Sequence, residues 1–267
     1  MTKEGQEKDI ESLVHAILRN QSVGGNKKAY MRVVKQYPGY LPAHFAVFQE
    51  LTEISKKRKG SLFHRENLDI VEWGPGTGLF AELAMLSPHI ESYLAVEPCD
   101  EFAQQVEQRV GDWGNVVREG AEHYFKENSA DAVVALFSYH HIHDKRSAIR
   151  NARTILRPDT YLIIVDGFLP EYETDKDGKP KDQRTFLDAV ATYHARQIEG
   201  MGSLDTTAIK DQLYTYALES MGQHEFKVPL SVLRRQLEER KFEIIKDESI
   251  GHRELGYRLI VAKNSIL

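Results

Sequence analysis

The sequence predicts an α/β fold, a mostly parallel sheet with helices on both faces. Two observations carry the prediction. From residue 67 onward, short apolar runs alternate with amphipathic stretches of helical period. The first of these runs, Leu68-Asp69-Ile70-Val71-Glu72-Trp73, enters a helix through Gly74-Pro75-Gly76-Thr77-Gly78-Leu79-Phe80, a turn with three alternating glycines. Strands alternating with helices imply parallel pairing through crossovers. Glycines at every second position remove the side chains that would keep a ligand from the backbone, which marks a nucleotide-binding turn.

Each element follows from local pattern. Leu68, Ile70 and Val71 supply the apolar part of strand 68–73. Thr77 is placed to cap a helix that begins near Gly78 and runs to about 87. Tyr93-Leu94-Ala95-Val96-Glu97 lies in strand 92–97, followed by a helix over about 99–109 and a short strand near 115–118. Asp131 to Phe137 reads as a fourth buried strand, Lys145 to Leu156 as a helix and Tyr161 to Val165 as a fifth strand. Between the last two, Arg157-Pro158-Asp159-Thr160 stops the helix and turns the chain. After the fifth strand the rhythm breaks, returning at Val228. Pro229 there opens a helix carrying Leu230, Leu233 and Leu237, and Phe242 to Ile250 and Arg258 to Ala262 read as two further strands.

This order divides the chain into a core over 59–169, completed by 228–267, and two additions. Residues 1–58 form an N-terminal helical cap, with helices around Ile10 to Leu18, Lys28 to Gln36 and His44 to Ile54. Residues 170–227 form an insert that opens with the charged loop Glu171 to Lys181. One of its helices carries Phe186, Leu187, Val190, Tyr193, Gln197 and Ile198 on a single face, and the other Ile209, Leu213, Tyr216 and Ala217. Ligands of open α/β sheets bind beyond the C-terminal strand ends, so both additions read as a lid. The same apolar stripes would serve equally as core packing.

With 267 residues, 41% of them hydrophobic and 28% charged, the chain can bury a full core as one domain with a decorated end. No apolar run approaches the roughly 20 residues that span a bilayer. Met1 to Lys8 lacks the apolar centre of a secretory signal, so a cytoplasmic location is expected. Cys99 is the only cysteine, which excludes an internal disulfide and a cysteine zinc cluster. A net charge of −5 argues against a nucleic-acid partner, whose phosphates call for a basic surface.

Glu97 ends the second strand 19 residues after Gly78. A carboxylate in that place can accept hydrogen bonds from both hydroxyls of a ribose. The glycine spacing differs from the dinucleotide fingerprint Gly-x-Gly-x-x-Gly, which would need a glycine at Leu79. The acid-x-Gly-x-Gly-x-Gly run from Glu72 to Gly78 resembles instead the first motif of the class I, Rossmann-like S-adenosylmethionine-dependent methyltransferases, small-molecule type. That resemblance covers about Leu68 to Phe168 and, more loosely, the C-terminal hairpin. It implies a seven-stranded sheet whose last strand is antiparallel, S-adenosylmethionine as cofactor, S-adenosylhomocysteine as product and a small-molecule methyl acceptor.

The resemblance also implies which residues do the work. Glu72, Gly74, Gly76, Thr77, Gly78, Glu97 and Pro98 would hold the cofactor, with Phe137 and Ser138 after the fourth strand. Ala121 and Glu122, an acid after a small residue at the exit of the third strand, would receive the adenine. The run Ser138-Tyr139-His140-His141-Ile142-His143-Asp144 holds three histidines in four residues. Without a cysteine pair or a His-Glu-x-x-His helix to complete a site, no metal is expected. Paired histidines before an aliphatic residue face the transferred methyl group in the resembled family. They imply a proton acceptor at His140 or His141, held or assisted by Asp166 at the end of the fifth strand. Capping or packing roles stay open for both, and His143 reads as structural. The family's Lys-Pro-Gly-Gly turn is replaced here by Arg157 to Thr160. The expected reaction is methyl transfer to a small molecule, with oxygen favoured as the acceptor. A protein or RNA methyltransferase, a NAD-dependent oxidoreductase and a non-enzymatic cofactor-binding module are the alternatives.

Overall fold

The computed structural model describes residues 39–58, 67–200, 213–217, 219–221, 225–251 and 257–265. The expected helices around Ile10 to Leu18 and Lys28 to Gln36, and Ile209 of the insert, lie outside the described residues.

The elements run α1 (Tyr40–Arg58), β1 (Leu68–Trp73), α2 (Leu79–Met85), β2 (Ile90–Val96), α3 (Asp100–Val110), β3 (Gly114–Val117), β4 (Ala130–Leu136), α4 (Lys145–Ile155), β5 (Leu156–Gly167), α5 (Gln183–Gly200), α6 (Leu230–Glu239), β6 (Phe242–Ser249) and β7 (Tyr257–Asn264). They form one seven-stranded sheet in the order β3-β2-β1-β4-β5-β7-β6. The first five strands pair in parallel, and β7 runs antiparallel between β5 and β6. Strands β1 and β4 lie in the interior of this order and are buried almost throughout, as parallel strands covered on both faces must be.

One face of the sheet packs against α1, α2 and α3, where Val47, Leu51, Phe80 and Val106 meet Ile70 and Val134. The other packs against α4 and α6 through Ile149, Ile155, Leu233 and Leu237. The helix expected over His44 to Ile54 is therefore part of the core: Val47, Leu51 and Ile54 are buried, each worth roughly 1.5–3 kcal/mol. Its first residue, Tyr40, reaches the cavities described below.

Pairing in the sheet positions the site. Trp73 is in register with Val96 and Ala135, and Leu136 with Val165. The residues that follow, Gly74, Glu97, Phe137 and Asp166, therefore lie together at one end of the sheet. At the opposite end, Arg58 and Arg157 both pair with the buried Asp131, at 2.7 and 2.8 Å, and Arg157 also reaches Asp69 at 2.7 Å. This cluster ties the strand starts together.

The turn expected at Arg157 to Thr160 is instead a bulge within β5. Ala130 pairs with Leu156 and Ala132 already with Tyr161, so four residues stand opposite one. Asp159, at φ +60°, makes the reversal, and Thr160 Oγ1 donates to the Arg157 carbonyl at 2.6 Å. In the insert, Ala189, Val190 and Tyr193 pack on Leu169, with Phe186 and Tyr216 beside them. The charged loop lies away from the cavities: Glu171 accepts from Ser231, and Arg146 and Arg235 donate to the carbonyls of Lys176 and Asp175, so the loop rests on α4 and α6. No helix among the described residues is long and apolar enough to cross a membrane.

Candidate active site

The glycine turn after β1 owes its shape to left-handed backbone at three positions, Gly74 (φ +63°), Gly76 (φ +53°) and Gly78 (φ +77°). At Gly74 the requirement is double, since an added Cβ would stand 2.6 Å from Ser138 Cβ. At Gly76 no atom lies within 4 Å of such a Cβ, so the backbone faces open space. The expected cap by Thr77 is not formed. Gly78 is the N-cap of α2 and offers no side chain, while Thr77 turns to the cavity wall.

A cavity of about 770 Å³ opens over this turn. Trp73 to Thr77, Glu97, Pro98, Gly120 to His123, Phe137 and Ser138 line it, in an order that runs from β1 past β2 to the exit of β3. Glu97 is 5% exposed; its Oε1 accepts from the Cys99 N–H at 2.9 Å and its Oε2 from the Gly76 N–H at 3.4 Å. Burial raises its pKa, against the pull of those two donors. An ionised carboxylate has about four lone-pair sites, so two remain for hydroxyls of a ligand. Ala121 and Glu122 sit at the far end, where Asn151 Nδ2 holds the Ala121 carbonyl at 3.2 Å. Trp73 Nε1 is buried without a partner among the described residues, a spare donor beside the cavity.

Glu72 and Gly78 do not line this space. Glu72 is 2% exposed beneath it and accepts the hydroxyl of Tyr93. Burial, with the charge of Glu97, pushes Glu72 up to about 8 despite that hydrogen bond. Gly78 shapes the turn, its Cβ position filled by Arg109 Cδ at 2.9 Å.

A second cavity of about 280 Å³ adjoins the first and shares Tyr40, Phe137 and His141 with it. Asp166 is 1% exposed at its base. Its Oδ1 accepts from His140 Nδ1 and from the Gly167 N–H, both at 2.7 Å, and its Oδ2 from the His140 N–H at 2.9 Å. Burial alone would raise Asp166, but His140, the Gly167 donor and the charge of Lys227 hold it below the usual carboxylate range. As an anion it only accepts, so the ring proton sits on Nδ1 of His140 and the other nitrogen, Nε2, is left as the reactive one. His143 packs its ring on Phe226 at 4.9 Å, outside both cavities.

Helix α5 closes the second cavity with Tyr193, His194 and Gln197. The Tyr193 hydroxyl comes so near β5 that a Cβ at Gly167 would lie 2.1 Å from it. Gln197 Oε1 accepts from the Tyr257 hydroxyl at 2.9 Å. The chain then returns through Glu225, Phe226 and Lys227. The Phe226 N–H donates to the His140 carbonyl at 2.7 Å, which brings Glu225 beside both histidines. Lys227, 7% exposed, pairs with Glu225 and with Glu219 at 3.6 Å. Tyr40, Glu225, Lys227, His194 and Tyr257 were not foreseen as site residues; each lies in an element whose local pattern speaks only of packing or loop.

Residues 71–164 match the family described as "Methyltransferase domain". A hybrid PKS-NRPS synthetase, iccA, of Talaromyces variabilis is 29% identical over 129 residues, 45% of this chain and 3% of that protein. The chain thus spans a small fraction of the curated relatives it matches. Among solved structures, the N-methyltransferase NodS from Bradyrhizobium japonicum WM9 in complex with S-adenosyl-L-homocysteine shares the fold with a TM-score of 0.52, at 13% identity over 93% of this chain and 97% of that one. The carbon methyltransferase CurJ shares it with a TM-score of 0.51, at 14% identity over 80% of this chain and 52% of that one. The domain match, the seven-stranded sheet with β7 antiparallel, and a glycine turn over a cavity that ends at Glu97 and Glu122 agree: residues 71–164 carry a methyltransferase domain, and the chain has the fold of the class I, Rossmann-like S-adenosylmethionine-dependent methyltransferases.

Proposed function

We propose that this chain transfers a methyl group from S-adenosylmethionine to a small-molecule acceptor, with an oxygen as the accepting atom, and releases S-adenosylhomocysteine. The observation that carries the reading is the second cavity: it is small, roofed by α5, continuous with the first at Tyr40, Phe137 and His141, and floored by the His140–Asp166 pair. A protein or nucleic-acid acceptor would call for an open groove in its place, and the net charge of −5 gives a nucleic acid no general attraction.

The cofactor, when bound, supplies an electrophilic methyl on a sulfonium whose sulfur leaves as a neutral thioether. The chain supplies alignment, dryness and a base. Backbone at Gly74 and Gly76 and the carboxylate of Glu97 hold the nucleoside end, with Ala121 and Glu122 at the adenine. Tyr40 and Phe137, stacked with centroids 5.5 Å apart, wall the passage between the cavities and exclude water from it. His140 Nε2 takes the acceptor's hydroxyl proton as its oxygen attacks, while Asp166 fixes the ring and stabilises the imidazolium.

Calorimetry tests the cofactor and isotope transfer tests the acceptor. S-adenosylmethionine and S-adenosylhomocysteine should bind in the micromolar range while NAD does not. Labelled methyl should pass to members of a panel of small phenols and hydroxy acids, and not to bulk protein or RNA. Label in protein or RNA alone would overturn the small-molecule reading.

A further inference from the structure

His140, His141 and Glu225 each offer a ligand atom, and these atoms lie within 4.8 Å of one another. His140 Nε2 is 3.7 Å from Glu225 Oε2, and His141 Nδ1 is 3.9 Å from Glu225 Oε1. With bond lengths of about 2.0–2.1 Å, a tetrahedral zinc site has ligand-to-ligand edges of about 3.3 Å, so atoms within 4.8 Å of one another need to close by at most about 1.5 Å.

The surroundings are those of a built site. With Nδ1 of His140 held by Asp166 at 2.7 Å, Nε2 is the ring nitrogen turned toward Glu225 Oε2, 3.7 Å away. Asp166 stands behind His140 as the carboxylate does in carboxylate–histidine–zinc triads. Lys227 holds the other side of Glu225, and the Phe226 N–H to His140 carbonyl bond fixes the spacing of the two chain segments. The His141 side chain is 55% exposed, which opens a path for an ion from solvent.

We propose that His140 Nε2, His141 Nδ1 and Glu225 bind a divalent first-row transition metal ion of the zinc type, at the mouth of the acceptor cavity and with a coordination position left open toward it. Two imidazoles and a carboxylate form the donor set of three-ligand catalytic zinc sites. The open position suits an acceptor oxygen. For catalysis the inference rests on the methyl-transfer reading above: with the metal bound, His140 holds the ion, and the coordinated hydroxyl loses its proton to solvent because of the metal's charge. The oxygen–methyl bond then forms as the sulfur–methyl bond breaks, with the bonding pair leaving on sulfur. Metal binding itself does not depend on that reading.

The test is made on the full chain after removal of metal with a chelator, by calorimetric titration with Zn²⁺ against a competing chelator and by the visible absorption of added Co²⁺. Wild type should take up one ion with high affinity and give a tetrahedral Co²⁺ spectrum. His141→Ala and Glu225→Gln should each weaken binding at least tenfold, and Asp166→Asn by about 10- to 100-fold, as for second-sphere partners of ligating histidines. S-adenosylhomocysteine binding by Glu225→Gln should stay at the wild-type level, which separates a failed metal site from a failed cofactor site. If Glu225→Gln does not fold, His141→Ala decides, since its side chain is largely in solvent. Zn²⁺ affinity unchanged in His141→Ala, or no ion bound by wild type, would overturn the proposal.

Discussion

Removing the Glu97 carboxylate tests the cofactor site most directly, because the geometry sets the size of the loss. Its two oxygens already accept one backbone N–H each, from Cys99 and Gly76, leaving two lone-pair sites toward the cavity. Hydrogen bonds to a charged group are worth about 1.5–3 kcal/mol each. Glu97→Gln keeps one acceptor oxygen and loses the charge, so it should forfeit about one such bond and weaken S-adenosylhomocysteine binding by about 10- to 150-fold. Glu97→Ala loses both and frees the Gly76 and Cys99 N–H groups, so its loss should be about 150-fold or more. Calorimetry gives the affinities, and the thermal midpoint without ligand shows whether the fold is kept. Wild-type affinity in a folded Glu97→Ala protein would refute the reasoning and take Glu97 out of the site.

Other outcomes follow from the same geometry. Gly74→Ala places a Cβ 2.6 Å from Ser138 Cβ at φ +63°, so it should reduce S-adenosylhomocysteine affinity more than tenfold in calorimetry. His140→Ala should lower kcat by about 10² to 10⁴ for a hydroxyl acceptor while cofactor affinity stays near wild type; the reverse pattern would assign His140 to packing. Deleting residues 174–179 should lower the thermal midpoint and leave the acceptor KM unchanged, because that loop is held on α4 and α6 by Arg146 and Arg235. His44 is buried, and burial lowers its pKa to about 4 although it donates Nδ1–H to the Tyr40 carbonyl. Between its unfolded pKa of about 6.5 and that value only the unfolded chain binds the proton, so stability falls as pH drops through this window, by up to about 3 kcal/mol. Urea unfolding at pH 7 and pH 4 measures the drop, and His44→Leu should remove it; an equal drop in the variant would show that His44 is not its source.

Where pattern and structure part company, the reason is the range of the interaction involved. Strand β4 and helix α4 were legible to within a residue because burial on two faces and helical period are written in consecutive side chains. The stretch Arg157 to Thr160 was read as a turn from its proline. The structure keeps it as a bulge because Leu156 still pairs with Ala130 on the neighbouring strand, a contact that no local pattern records. The capping role expected of Thr77 failed for a similar reason: close packing of the turn on Ser138 and Arg109 puts Gly78 at the cap and frees Thr77 for the cavity. In the insert, the stripe of Val190, Tyr193 and Gln197 and its covering place were visible, yet only the fold laid the charged loop away from the cavities, on α4 and α6.

By itself the sequence determined the parallel core, the glycine turn, the carboxylate after β2 and the histidine pair after β4, since each depends on residues close together in the chain. The tertiary structure alone decided which of the two histidines Asp166 grips, that Tyr40 walls both cavities, and that Glu225 stands across from the two histidines. Those pairings join segments 26 to roughly 100 residues apart, brought together by the register of strand ends and by one backbone hydrogen bond from Phe226. Contacts of that span are set by how layers stack and where the chain returns, and no short stretch of residues carries that information.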